Sequence, residues 1–318
     1  MIRVVKPGLL TTIQDLGRYG YQRFGVLVNG VMDAYSHRIT NLLVGNSEST
    51  PTLEVTFIGP HLRFEADTII AIGGADLTPS IDGIPIQLWR PYTIRRGQNL
   101  IFGANKSGCR AYIAVAGGWI VPSVMNSTST YLRCKLGGFC GRPLQKGDQL
   151  KYNSPAGLSN IERNWTLSDE LLPRFHDNTV IQVMKGRQFE MFSKDSQYQI
   201  FSQAFEVTSH SDRMGYRLKG PQLKWLQTSE LLSEAVSFGT IQVPANGNPI
   251  ILLADRQTTG GYPKIAQIAS VDFPKIAQIK PGDKITFKEI SHDEAQLQFL
   301  EIEKKIHYVK QGIIFKVK

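Results

Sequence analysis

Short apolar runs recur along the chain, and each is bounded by Gly, Pro or Asn. They occupy residues 52–58, 68–72, 112–116, 179–183, 250–253 and 284–288. Their length and their content of β-branched residues predict strands. Two stretches have helical spacing instead: one runs from Asp33 to about Val44 with Asp33 as N-cap, and one follows Ser291, which forms a capping-box pattern with Glu294. The pattern predicts a mainly β protein with a few short surface helices.

Polar residues in the first half of the chain recur in the second half, about 180 residues later. The matched carboxylates are Asp33 with Asp212, Glu54 with Glu234, and Asp76 with Asp255. Between residues 152 and 177 the chain becomes polar and irregular, which is typical of a joint between domains. The repeat therefore predicts two domains of one ancestry, residues 1–160 and 161–318.

The composition is that of a globular protein, with 42% hydrophobic and 20% charged residues in 318. No apolar run is long enough to cross a membrane and the N-terminus lacks a secretory pattern, so we expect a cytoplasmic protein. The net charge is +9, but Lys and Arg are scattered, and we expect no nucleic-acid partner. The three cysteines form no C-x-x-C pair and the six histidines stand far apart, so no metal site is predicted.

The matched carboxylates allow two interpretations. Carboxylates brought together can perform acid–base catalysis or bind a divalent metal. They can also be structural, because duplication copies caps and turns as readily as catalytic groups, and Asp33 is already explained as a helix cap. For the first half we favour the structural interpretation.

The second half carries denser chemistry in two turns. Residues 211–218 place four ionisable side chains beside a glycine, and residues 255–264 combine hydroxyls, paired glycines, an Arg and a Lys. Such groups hold carboxylates or phosphates, although a well-hydrogen-bonded turn would have the same composition. The candidate catalytic residues are Asp212, Arg213, Glu234 and Lys264. The candidate substrate- or phosphate-binding residues are Arg256, Gln257, Thr258, Thr259, Tyr262 and Gln242, with Asp33 and Arg142 from the first half.

Eight motifs across almost the whole chain resemble a known family. They include TTIQDLGR at residues 11–18, SDRMGYRL at 211–218 and GGYPK at 260–264, with shorter matches at 30–33, 53–56, 73–77, 114–118 and 241–244. These motifs resemble the C subunit of bacterial ATP-dependent 5-oxoprolinase, a family also called the KipI antagonist, or KipA. That family is related to allophanate hydrolase subunit 2 and to the carboxyltransferase domains of urea carboxylase.

The resemblance implies two cyclophilin-like β-barrels and an enzyme complex. Its partners would be a KipI-like B subunit and a LamB/YcsF-like A subunit, and the complex would open 5-oxo-L-proline to L-glutamate with ATP, accompanied by Mg²⁺. On this hypothesis Arg213 or Lys264 holds the substrate carboxylate, and Arg256, Thr258 and Thr259 lie near phosphate. Asp212 or Glu234 would orient a water, a proton or Mg²⁺.

One position departs from the family pattern. Where the family usually has Gly-Ser-Arg-Ser-Thr, this chain has Thr128 in place of the Arg, within residues 126–130. Arg133 or Arg142 would have to supply any anion-binding role that the missing Arg performs.

Two other functions stay open at this point. The related domains suggest a biotin-dependent carboxyltransferase subunit, which would need partners that carry a biotinyl domain and a carboxylase domain. The chain could also be a non-catalytic antagonist that binds a KipI-like inhibitor. The sequence leaves a homo-oligomer open as well.

Overall fold

The structure is a computed structural model, and it describes residues 1–153, 165–175, 178–226 and 231–317. The chain divides into two compact units. The N-terminal unit comprises Met1–Arg18, Asp33–Arg174 and Glu303–Lys318, and the C-terminal unit comprises Tyr19–Met32 and Phe175–Ile302. The domain boundary predicted at residues 160 and 161 falls outside the described residues, and that boundary stays a prediction.

The described residues of the N-terminal unit contain eleven strands and one complete α-helix. The strands are β1 (Ile2–Lys6), β2 (Leu10–Gln14), β3 (Thr52–Thr56), β4 (His61–Phe64), β5 (Thr68–Asp76), β6 (Pro79–Ile81), β7 (Ile84–Pro85), β8 (Pro91–Ile94), β9 (Asn99–Phe102), β10 (Ser107–Val115) and β11 (Gln149–Leu150), and the helix is α1 (Ala34–Leu43). They form a six-stranded sheet in the order β11-β1-β4-β9-β6-β7 and a five-stranded sheet in the order β2-β3-β10-β5-β8. Both sheets bury apolar residues in one core, including Ile2 and Leu62 from the first and Leu53 and Ile113 from the second.

Helix α1 begins where the sequence predicts. The Asp33 carboxylate accepts a hydrogen bond from the Ser36 amide at 2.9 Å, which satisfies one of the free N–H groups of the first turn. The helix packs closely on β5 at Gly73, where an added Cβ would collide with the Thr40 hydroxyl. Only glycine fits at that point of the strand.

The described residues of the C-terminal unit contain nine strands and two short complete α-helices. The strands are β12 (Asn178–Lys185), β13 (Phe205–Val207), β14 (Gly215–Lys219), β15 (Glu234–Ala235), β16 (Thr240–Gln242), β17 (Ile250–Leu252), β18 (Thr259–Gly260), β19 (Lys264–Ile268) and β20 (Lys284–Glu289), and the helices are α2 (Lys194–Ser202) and α3 (Phe273–Ala277). Seven strands close into a barrel in the order β12-β19-β16-β17-β14-β13-β20, while β15 and β18 pair separately. Alternate residues point inward, and Phe205, Ile241, Ile251, Ile265 and Phe287 fill the core.

A long helix, α4 (His292–Val317), ends the described chain. The capping box is confirmed, since the Ser291 amide donates to Glu294 at 3.0 Å and the Glu294 amide donates to the Ser291 hydroxyl at 3.2 Å. From Glu303 onward the helix belongs to the N-terminal unit, where Glu303 pairs with both terminal nitrogens of Arg38.

The mainly β prediction is confirmed, and each predicted run overlaps a strand. Two details differ from the prediction. The described strands close into a barrel in the C-terminal unit, whereas those of the N-terminal unit form two sheets. Helix α4 has 26 residues and is not short, because its buried residues Ala295, Ile306 and Ile313 continue along one face well past the first turns.

Candidate functional site

A cleft in the C-terminal unit, here called the Lys264 cleft, brings two predicted catalytic residues together. The Lys264 Nζ lies 3.4 Å from the Glu234 carboxylate and 3.5 Å from the Gly260 carbonyl oxygen. The pairing of β15 with β18 places Glu234 opposite Gly260, and Lys264 begins β19 four residues later. Strand pairing therefore fixes this contact between residues that are 30 positions apart in the sequence.

The described lining of the Lys264 cleft has three cations, Lys185, Arg187 and Lys264, and one carboxylate, Glu234. Arg187 Nη1 lies 3.2 Å from the second oxygen of Glu234, and the cleft has a volume of about 510 Å³. Partial desolvation acts to raise the pKa of Glu234, but the hydrogen bond and charge of Lys264 outweigh it and lower that pKa. The Lys264 side chain is 11% exposed, so its ammonium is held in the cleft wall. The arrangement suits an anionic ligand.

Glycines allow the backbone to approach closely around Lys264. A Cβ at Gly260 would collide with Gln242 Nε2, and a Cβ at Gly186 would collide with the Lys264 carbonyl oxygen. Gln242 is buried and its Nε2 donates to the Tyr262 carbonyl at 3.4 Å. The structure thus groups the predicted residues Gln242, Tyr262 and Lys264.

Arg187 was not among the residues predicted from the sequence. The signal was present, because Arg187 follows Gly186, a residue close to the first matched positions of the internal repeat. Nothing in the sequence indicates that the loop of residues 186–188 lies against the start of β19. In the structure, a hydrogen bond from the Lys264 amide to the Gln188 side chain at 3.1 Å joins the two segments.

The predicted phosphate-binding turn follows β17. Arg256 donates to two carbonyl oxygens, those of Val236 at 3.4 Å and Leu253 at 3.2 Å. Among the described residues no carboxylate pairs with its guanidinium, and burial lowers the pKa of Arg256 while the neighbouring Tyr19 acts in the opposite direction. An anion brought to this cation would offset its desolvation.

The other residues of that turn are accessible. Gln257 and Thr259 are exposed, and the Thr258 carbonyl accepts a hydrogen bond from Val236 at 3.1 Å. Thr259 lies opposite Ala235 in the β15–β18 pair. These three residues follow directly on Arg256, and their ligand-binding role stays a prediction.

Arg213 makes a buried ion pair inside the C-terminal unit. Its Nε and Nη2 lie 3.0 and 3.1 Å from the two oxygens of Asp255, and the exposed fractions of the two side chains are 6% and 9%. Nη2 also donates to the Gly30 carbonyl at 2.5 Å, and Asn29 donates to Asp255 at 2.8 Å. The contact that Arg213 makes in this structure is therefore with a carboxylate of its own chain, and its predicted substrate contact stays a prediction.

Asp212 shapes the turn before β14. One carboxylate oxygen accepts hydrogen bonds from the Met214 amide at 2.8 Å and the Gly215 amide at 3.3 Å. This is the turn geometry that Asp side chains favour, and it orients the backbone that leads into Arg213. Asp212 itself is exposed.

The first-half candidates have structural contacts. Asp33 caps α1, its amide donates to the Tyr112 hydroxyl at 2.8 Å, and that hydroxyl donates to Glu54 at 2.8 Å. All three residues are buried. Arg142 makes a two-pronged ion pair with Asp148 at 2.7 and 2.8 Å. The Arg142 guanidinium thus already holds a carboxylate, and its predicted ligand-binding role stays a prediction.

A buried carboxylate, Asp15, organises the segment that departs from the family pattern. The Thr128 amide and hydroxyl donate to it at 2.6 and 2.9 Å, and the Ser127 and Ser129 hydroxyls donate at 2.7 and 2.5 Å. Burial would raise the pKa of Asp15, but hydrogen bonds led by that of Ser129 outweigh it and lower the pKa. In this chain residue 128 therefore anchors the segment to Asp15.

Metal-binding clusters and membrane-spanning helices are both absent from the described part of the chain. Within residues 1–153, 165–175, 178–226 and 231–317, no cluster of three or more His, Cys, Asp or Glu side chains is placed to hold a metal. No helix in the same ranges has an apolar stretch of membrane-spanning length.

Comparison with known proteins places these features in a family context. Residues 24–289 match the family described as carboxyltransferase domain, subdomain A and B. The 5-oxoprolinase C subunit of Haemophilus influenzae is 39% identical over 301 residues, and that of Escherichia coli is 38% identical over 295, each match covering 93% of both chains. The crystal structure of Kluyveromyces lactis urea carboxylase superposes with a TM-score of 0.91 at 32% identity over 98% of this chain, which spans 29% of that longer protein.

Proposed function

Because the chain belongs to the carboxyltransferase domain family, we propose that it is the C subunit of an ATP-dependent 5-oxoprolinase. The observation that carries the proposal is its match to two proteins named as the C subunit of 5-oxoprolinase, over 93% of their length. Both relatives are components of a larger enzyme by name, which supports a complex. The partners we propose are a KipI-like B subunit and a LamB/YcsF-like A subunit, and the complex would act in the cytoplasm.

The proposed chemistry begins with a stable ring. A five-membered lactam resists hydrolysis, so the γ-phosphoryl group of ATP is transferred to the lactam oxygen and ADP leaves. Water then adds to the activated ring carbon, and the C–N bond breaks as the nitrogen takes up a proton. A second water releases phosphate from the resulting acyl phosphate and leaves L-glutamate. Mg²⁺ accompanies ATP and shields the charge of the transferred group.

The Lys264 cleft provides groups for the 5-oxoproline end of this reaction. The Lys264 ammonium binds the substrate carboxylate. Because Arg187 also pairs with Glu234, the charges of these three side chains sum to a net positive charge in the cleft. Glu234 is kept ionised by its two cations, and it orients the attacking water. Gln242 and Tyr262 are not among the described residues that line this cleft, and their predicted ligand-binding roles stay predictions.

Arg256 provides the anion-binding group for phosphate. Its guanidinium has two neutral carbonyl partners, so it gains electrostatically from a phosphate oxygen. Thr258 and Thr259 follow it in an accessible turn and add hydroxyl donors. Arg213 and Asp212 are assigned to positioning, because their contacts hold the neighbouring backbone.

Reconstitution tests the proposed function. The chain is mixed with the A and B subunits, 5-oxoproline, ATP and Mg²⁺, and glutamate is measured with each component omitted in turn. We expect glutamate only when this chain and ATP are both present. Glutamate formation at the same rate without this chain would contradict the proposal.

A second function is favoured by one observation, the structural match to urea carboxylase. In that case the chain would transfer a carboxyl group from carboxybiotin when combined with a biotin carboxylase and a biotinyl carrier protein. This alternative would be favoured if that mixture consumed urea in a bicarbonate-dependent reaction while the mixture with the A and B subunits released no glutamate from 5-oxoproline.

A further inference from the structure

Two clefts adjoin on the C-terminal unit, and no described residue that lines them also lines the Lys264 cleft. Each has a volume of about 740 Å³, within the range of about 300–1,000 Å³ typical of small-molecule sites. They share four lining residues, Gln222, Pro244, Asn246 and Tyr262. A ligand can therefore extend from one cleft into the other.

The first of these, the aromatic cleft, has flat walls. Trp225 and Tyr262 line it together with Val243 and Pro244. Trp225 is held by an edge-to-face contact with Phe192, with ring centroids 5.4 Å apart. Tyr262 is 51% exposed, so part of this side chain is accessible to a ligand. Such walls suit a planar heterocycle.

The second, the basic cleft, is lined by His210, Arg217 and Lys219. In β14, Tyr216 and Leu218 point into the barrel core, so Arg217 and Lys219 point outward on the same face. Glu206 lies opposite Lys219 in the strand pair but does not line the cleft. None of the described residues that line either cleft is acidic, which leaves the positive charge available to an anionic ligand.

We propose that the two joined clefts form a nucleotide-binding site, with the base in the aromatic cleft on Tyr262 and the phosphates in the basic cleft on Arg217 and Lys219. A nucleotide combines the two features that the clefts separate, a planar heterocycle and a polyanion. The site is distinct from the Lys264 cleft and from Arg256, and it does not depend on the proposed reaction.

Binding to the full-length chain tests this site, with ATP, adenosine and tripolyphosphate as probes in equilibrium dialysis. We expect ATP to bind more tightly than either fragment. Tyr262→Ala should weaken ATP and adenosine about tenfold and leave tripolyphosphate unchanged, because loss of one stacked base costs on the order of this factor. The pair Arg217→Gln and Lys219→Gln should weaken ATP and tripolyphosphate and leave adenosine unchanged.

One control variant distinguishes this site from a general charge effect. The pair Lys284→Gln and Lys288→Gln removes the same charge from exposed positions on β20 and should leave ATP binding unchanged. Because Arg256 is itself proposed to bind phosphate, the Tyr262→Ala and Arg217→Gln/Lys219→Gln changes are also made in the Arg256→Gln protein, where their losses of ATP binding should persist. Absence of ATP binding, equal binding by all variants, or disappearance of these losses in the Arg256→Gln protein would overturn the proposal.

Discussion

Replacing Arg213 with Met should destabilise the C-terminal unit. The substitution keeps an apolar stem but removes the guanidinium, and it leaves Asp255 buried with Asn29 as its remaining side-chain donor. Breaking a buried ion pair by removing one partner costs about 3–5 kcal/mol, and the Asn29 hydrogen bond places the expected loss near the lower end, at about 3 kcal/mol. For a unit of this size, that corresponds to a fall of about 10 °C in melting temperature.

The assay combines thermal unfolding with hydrogen exchange measured by mass spectrometry. Amides in β14 and β17 should exchange faster in Arg213→Met, because Arg213 and Asp255 lie just beyond the adjacent ends of these paired strands. Arg217→Met is the matched control, since it removes an exposed arginine from the same strand. It should change the free energy of unfolding by less than about 0.5 kcal/mol.

A double variant checks the reasoning behind that magnitude. Combining Arg213→Met with Asp255→Asn removes both charges and keeps an oxygen for Asn29, so part of the lost stability should return. If Arg213→Met melts within about 2 °C of the unchanged protein and exchange in β14 is unaltered, the ion pair does not hold the turn. That result would favour the substrate-binding role predicted for Arg213 over a structural one.

Two further predictions concern the N-terminal unit. Burial lowers the pKa of His37 to about 4 from 6.5, so the unfolded chain binds a proton at a higher pH than the folded chain does. The unit should therefore lose about 3 kcal/mol of stability as the pH falls from 6.5 to 4. His37→Gln should reduce this loss when the free energy of unfolding is measured against pH, and the same pH dependence in the variant would contradict the reasoning. The pKa of Asp15 is also lowered, so its hydrogen bonds stabilise the fold above the carboxyl's ordinary pKa and are lost as the pH falls through the folded value. Asp15→Asn should therefore destabilise the protein at pH 7, and the difference from the unchanged protein should shrink in acid; a difference that persists at low pH would count against the assignment.

The sequence predicts those features that depend on neighbouring residues. The Asp33 cap and the Ser291–Glu294 capping box each join residues three apart, so residue type and spacing suffice to find them. The strands are likewise visible as short apolar runs. The ends of elements are harder to predict, and the length of α4 escapes prediction because its exposed apolar residues blur the pattern.

Contacts between distant segments cannot be read in the same way. The Arg213–Asp255 pair joins residues 42 apart, and the nearby Asn29 comes from a segment that precedes α1. The repeat also matches Glu54 with Glu234, yet Glu54 is buried against Tyr112 while Glu234 faces Lys264 in a cleft. A repeat shows which positions correspond, whereas the side chains around each position decide its chemistry.

The most direct test of the proposed function compares two substrates in the reconstituted complex, 5-oxoproline and 2-pyrrolidinone, which has the same ring without the carboxylate. If Lys264 binds that carboxylate, Lys264→Gln should lower kcat/KM for 5-oxoproline by about tenfold to a hundredfold and leave the rate with 2-pyrrolidinone nearly unchanged. Lys288→Gln serves as the exposed control on the same unit. An equal loss for both substrates, or no loss for either, would contradict the account.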